Sequence, residues 1–164
     1  MKKFILPLIV FAVLFTIQTS AQSISGFIKV KEQQKLEITA QNNNVVNLYA
    51  AFRENQYPIL FSFNAADIPL NSDKKEVVMI QFFTTVKKDG KLIGKIERSP
   101  IPFFPGDMFM PVECFDFIPI LSNIQDNKLG QISEIPKGTY QVTLEAVANG
   151  VKSAISPVNM FIKF

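Results

Sequence analysis

Apolar and polar residues alternate at every second position through much of this chain, and that spacing constrains its fold more than any other feature. Tyr140, Val142, Leu144 and Ala146 alternate with Gln141, Thr143 and Glu145, and Val158, Met160, Ile162 and Phe164 repeat the pattern. A period of two puts every apolar side chain on one face of an extended strand, and that face must be buried. Leu36, Ile38 and Ala40 follow the same rule, as do Ile59, Phe61 and Phe63 after Tyr57-Pro58. Glu76 to Val86 differs in being apolar on both faces. Val77, Met79 and Phe83 lie on one, and Val78, Ile80, Phe82 and Val86 on the other, which suits the middle of a covered sheet. Asp89-Gly90 and Asn149-Gly150 are two-residue hairpin signals, because both residues of such a turn must tolerate positive φ. Leu92 to Ile96 is the strand returning from the first. Val151 to Ser156 returns from the second, and Pro157 interrupts before the last run.

Other segments read less simply. Val45, Leu48, Tyr49 and Phe52 fit helical spacing, yet Val45 to Phe52 also reads as a strand, and the strand is preferred. Ser99 to Pro111 holds Pro100, Pro102, Pro105 and Pro111, which forbid a central strand, and Pro105-Gly106-Asp107 reads as a turn. Val112 to Leu121 is expected to resume as a strand passing into a short helical turn after Pro119, and Ser122 to Glu134 to be a polar connection. Roughly eight short strands with few helical patterns predict an all-β sandwich in a single domain spanning 22–164.

The preceding residues have a different character. Lys2 and Lys3 precede the apolar run Phe4 to Ile17, and a short polar stretch ends at Ala21, the pattern of a secretory signal peptide cleaved between Ala21 and Gln22. The run is shorter than the about 20 apolar residues that a spanning helix needs, and it contains Pro7. The expected product is therefore exported to the periplasm, cell surface or exterior and is not integral to the membrane. The formal charge of +3 falls to +1 once the two leader lysines are gone, since the leader has no acidic residue. The remaining basic residues are dispersed, which argues against nucleic acid as a partner.

Histidine and tryptophan are absent. Without histidine the usual general base near neutral pH is missing, along with the commonest transition-metal ligand. Without tryptophan, Tyr49, Tyr57 and Tyr140 are left as stacking platforms for a sugar. The one cysteine, Cys114, has no internal partner and reads as a small buried hydrophobe between Val112 and Phe115. Asp67, Asp73, Glu76, Asp107, Glu113, Asp116, Asp126 and Glu134 are dispersed rather than paired as a glycosidase requires. No catalytic residue, cofactor site or metal site is expected. The best contact candidate is the Pro/Phe/Met segment, with Phe103, Phe104, Met108, Phe109 and Met110 as its residues. An alternative reading makes these side chains a plug at one end of the sandwich core.

Ile135-Pro136-Lys137-Gly138-Thr139-Tyr140, followed by Val142, Leu144 and an Asn-Gly turn, resembles the penultimate hairpin of immunoglobulin-like and fibronectin III-like secreted modules, and Ser153 to Phe164, with Ser156-Pro157-Val158, is similar to their last strand. This covers about a quarter of residues 22–164. The order of Tyr57-Pro58, Asp89-Gly90, Pro105-Gly106, Gly138-Thr139-Tyr140 and Ser156 is similar to TANFOR-type modules of Bacteroidetes surface proteins. The resemblance implies an immunoglobulin-like or fibronectin III-like sandwich of seven to eight antiparallel strands, without catalytic residues to carry over. Two functions follow as expectations. One is a non-enzymatic module that binds a protein or glycan at the cell envelope. The other is an accessory subunit of a gliding, secretion or fimbrial apparatus that pairs through an edge strand, with the C-terminal strand as a candidate. Expression in an export-competent host is expected to yield a chain starting at Gln22, read by N-terminal sequencing; a chain retaining Met1 would contradict the cleavage.

Overall fold

The period-two runs become two facing sheets. A computed structural model describes residues 22–125 and 135–164. They form β1 (Ser23–Val30), β2 (Lys35–Thr39), α1 (Val45–Arg53), β3 (Ile59–Ala66), β4 (Val78–Lys88), β5 (Lys91–Glu97) and β6 (Ile101–Phe103). After these come β7 (Gly106–Met110), α2 (Phe117–Gln125), β8 (Thr139–Ala148), β9 (Lys152–Ser156) and β10 (Val158–Lys163). The leader Met1 to Ala21, and the acidic positions Asp126 and Glu134, lie outside the described residues. One sheet has the order β7-β3-β1-β9; the other runs β2-β10-β8-β4-β5, with β6 also paired to β4. The inward residues of both sheets, among them Ile28, Phe61, Phe63, Ile80, Phe82, Val142, Leu144 and Met160, meet in one buried cluster.

The described residues form ten strand segments because three strands are broken. β1 and β9 lie parallel in the first sheet, and their continuations β2 and β10 lie parallel in the second, so the two segments change sheets side by side. Pro157 makes the change in one. In the other it is a tight turn with Lys31 (φ 49°) and Glu32 (φ 63°) both left-handed, closed by reciprocal bonds between Val30 and Gln33. β5 and β6 lie end to end along the same side of β4. Joined across these breaks, the described strands number seven, in the order fifth-second-first-seventh in one sheet and first-seventh-sixth-third-fourth in the other. Seven strands in two facing sheets match the count of an immunoglobulin-like sandwich, but the fourth lies beside the third rather than beside the fifth as in the constant-domain arrangement. Tyr140, fully buried at the start of β8, donates its hydroxyl to the Pro136 carbonyl at 2.9 Å. That bond has the geometry of the tyrosine corner of such folds.

Several expectations are corrected. Val45 to Phe52 is helical, because Asn44 Oδ1 accepts the Val46 N–H at 2.8 Å and Val45, Leu48 and Phe52 share one buried face. Val112 to Leu121 is not a strand: a 3-10 turn at Val112–Cys114 leads into α2, whose Phe117, Ile120 and Leu121 are buried at helical spacing. Pro119 fits there because the first helical turn has N–H groups with no intrahelical partner. Ser122 to Gln125 of the expected polar connection are therefore helical, and the rest of that stretch lies outside the described residues. β1 was not anticipated, and it lies at the centre of its sheet. Asp89 (φ 49°) and Gly90 (φ 77°) form the expected hairpin turn. At Asn149-Gly150 only the glycine has positive φ (78°), and β9 leaves to pair with β1 instead of returning along β8. β4 does sit mid-sheet, but only its inner face is covered: Met79 on the outer face is exposed.

The spacing of β1 and β3 depends on Gly26. It stands opposite Phe63, and a Cβ added to it would collide with the Ser62 carbonyl oxygen and lie 2.7 Å from the Phe63 Cβ. Gly26→Ala is expected to lower stability by about 1–3 kcal/mol through overpacking. The exposed neighbour substitution Ser25→Ala should stay within about 0.5 kcal/mol. Equal denaturation midpoints for the two variants would refute the close approach.

Candidate functional site

Ser99 to Pro111 carries the chain from one sheet to the other, and its prolines shape the crossing. Pro102 stands opposite Met79 in the short β6, while β7 pairs with β3 as the last strand of the first sheet. The turn closes at Phe104-Pro105, so Gly106 (φ 135°) and Asp107 already belong to β7. Alternation then divides the candidate residues. Met108 and Met110, opposite Phe61 and Ile59, pack inward against the core. Phe103 is half-buried, its ring edge-on to Phe82 at 5.5 Å and Phe61 at 5.7 Å. Phe104 and Phe109 face solvent, 53% and 75% exposed. The Lys75 ammonium lies 5.5 Å from the Phe104 ring centre, and Phe109 stands beside half-buried Leu60. The five residues therefore do not form one surface; three belong to the core and two to the exterior.

Next to Phe109 a groove of about 400 Å³ opens between the end of α1 and the end of β7. Phe52, Arg53, Tyr57, Pro58, Phe109 and Glu113 are among its walls. The α1 stripe that buries Phe52 against Tyr57 (5.3 Å) and Phe117 (5.2 Å) leaves Arg53 on the open side. Glu113 joins the two walls: Tyr49 donates its hydroxyl to Oε1 at 2.6 Å, and Arg53 Nε approaches the same oxygen at 3.7 Å. The Tyr49 hydrogen bond is the main reason the Glu113 carboxyl is held below its ordinary range and the Tyr49 phenol above its own.

Arg98 secures the far side of this region. Its Nε and Nη2 donate to the two oxygens of Asp116 at 2.8 Å each, and Nη2 also donates to the Glu113 carbonyl at 2.6 Å. A bidentate pair of this kind fixes orientation as well as distance, so the turn before α2 is tied to the end of β5. Thr84, buried in β4, accepts the Asp116 N–H at 3.3 Å. Cys114 is half-buried against the core, and burial pushes its thiol above the ordinary value.

The three tyrosines have separate environments. Tyr140 is buried and is no stacking platform, Tyr49 is bonded to Glu113, and Tyr57 lines the groove. Among the acids, Asp107 accepts from Ser62, Asp116 is held by Arg98 and Glu113 by Tyr49. Among the described residues, no group of three or more His, Cys, Asp or Glu side chains is placed to hold a metal. No helix among them is long and apolar enough to cross a membrane. The C-terminal strand β10 is flanked by β2 and β8, so it is not an edge. Sequence reasoning missed Arg53, whose position follows only once α1 is recognised as a helix. No protein-family model matches the chain, and comparison with curated proteins finds no relative.

Glu113 has a testable titration. A carboxylate whose folded value is depressed contributes stability above its unfolded value, and loses it as pH falls through the folded one. Tyr49→Phe is expected to raise the Glu113 value, followed by carbon-detected NMR, and to flatten the acid limb of the stability curve. An unmoved titration would show that the hydroxyl does not hold the carboxylate.

Proposed function

We propose that this protein is an exported, non-enzymatic binding module that contacts a protein or glycan at the cell envelope or surface. The observation that carries the reading is Phe109: a large aromatic side chain 75% exposed on an outer strand, beside an aromatic-walled groove. Isolated exposed apolar residues are ordinary, but an aromatic at the mouth of a concave, partly apolar site is a recurrent contact feature. The leader pattern of residues 1–21 supports export, and the likeness to TANFOR-type modules supports a surface setting in a Bacteroidetes envelope. In this reading the partner-binding residues are the exposed pair Phe104 and Phe109. Phe103, Met108 and Met110 support them from the core.

The second reading is an accessory subunit of an envelope apparatus that pairs through an edge strand. Its support is that β7 has a strand on one side only among the described residues. The interior place of β10 moves that role away from the C-terminus.

The mature chain, immobilised and exposed to envelope extract and to a glycan array, is expected to retain a partner that the double variant Phe104→Ser/Phe109→Ser loses. Both proteins should melt alike, since neither side chain is in the core. Retention by the double variant would remove these phenylalanines from the contact. Elution of the native protein within a large membrane complex would favour the accessory subunit.

A further inference from the structure

The sandwich leaves few ways to add a strand, and its edges are not equivalent. β5 carries exposed Lys91 and Lys95 and a register shift opposite Val86/Lys87. β2 presents exposed Lys35 and Glu37, and β9 begins at exposed Lys152. Lysines and bulges are the devices by which sheets repel an added strand. β7 has neither. Its five residues, Gly106-Asp107-Met108-Phe109-Met110, include no basic side chain, and the one charge, Asp107, accepts a hydrogen bond from Ser62 of the neighbouring strand. Pro105 and Pro111 flank it and limit any added pairing to about this length.

A five-residue ladder by itself is a weak attachment, but this one leads into a groove. Phe109 and Met110, the last residues of β7, are also walls of the 400 Å³ groove at the end of α1. Among the described residues β7 has an unpaired side, and the groove lies at its end, between Phe109–Glu113 and the stretch from Phe52 to Ile59, with Arg53 and Glu113 among its polar walls. Main-chain pairing supplies affinity in this mode of recognition, and a side-chain pocket supplies selectivity. We propose that β7 is a docking edge, on which an extended peptide segment of a partner protein adds as a strand and places one large apolar or aromatic side chain in the adjoining groove. This rests on the reading of the protein as a binding module and narrows its partner from protein or glycan to an unstructured peptide segment.

The test is selection of a displayed random 12-residue peptide library on the mature chain, followed by amide hydrogen exchange with the best synthetic peptide. Selected peptides should share a large apolar or aromatic position, and binding should slow exchange at Asp107 to Met110. Phe109→Lys should weaken binding by about thirtyfold or more, as expected for loss of a central anchor. Because Phe109 is largely exposed, that variant should fold normally, which thermal unfolding verifies. Peptides that protect another strand or ignore Phe109→Lys would overturn the docking edge while leaving a binding module in place. Failure to enrich any peptide would also overturn it, and a glycan-array hit then preserves the broader function. Self-association abolished by Phe109→Lys, with no peptide bound, would reassign the edge to a second copy of this chain.

Discussion

Contact between Phe61 and Phe82 joins the two halves of this molecule. Phe61 lies in the first sheet and Phe82 in the second, their ring centres 5.3 Å apart and nearly perpendicular. Phe63 stacks on Phe61 at 5.3 Å and Phe115 meets Phe82 at 5.3 Å, extending the contact along the interior. Phe103 closes the group by touching both central rings. Each such pair adds about 0.5–1.5 kcal/mol beyond its buried area, and there is neither a tryptophan nor a disulfide to share the task. The crossover between sheets depends on this cluster. With Phe103 seated between the sheets, β7 must emerge at the rim of the first one, and alternation then turns Phe109 outward.

The second constraint is the joint sheet change of β1–β2 and β9–β10. Two chain segments leave one sheet and enter the other while staying paired in parallel, so one side of the sandwich is laced together by continuous backbone. This internal use removes the C-terminal strand from the surface. Tyr140 reinforces that side through its bond to Pro136 and its perpendicular contact with Phe164 at 5.5 Å. At the opposite side Arg98 performs the comparable task for the helical connection, through Asp116 and the Glu113 carbonyl. Among the described residues, β7 keeps one unpaired side, with the groove at its end.

Much of the sheet structure was legible because alternation is a local property. β3, β4, β8 and β10 follow from residues two apart, and Asp89-Gly90 follows from the positive φ that both turn residues adopt. The two helices were harder. Val45 to Phe52 satisfies both spacings, and the deciding factor is the pair of buried faces it meets, including Phe117 some sixty residues later. The Lys31-Glu32 turn gave no signal, since neither residue favours left-handed backbone. Tertiary constraints, including the Lys31 N–H donated to the Pro58 carbonyl at 2.9 Å, hold it there. The candidate site was half legible: the Pro/Phe/Met segment stands out in composition, but Tyr57, Arg53 and Glu113 join it only through the path of α1.

By itself, then, the sequence determined the all-β class, the placement of most strands and the need for a phenylalanine core, because each depends on spacing or composition within a short window. Tertiary structure decided which phenylalanines form that core and which face solvent. It also decided which strands have a free edge, and that the end of α1 and the end of β7 form one groove. Those outcomes depend on strand order and sheet register, and these are set by contacts between residues far apart in the chain.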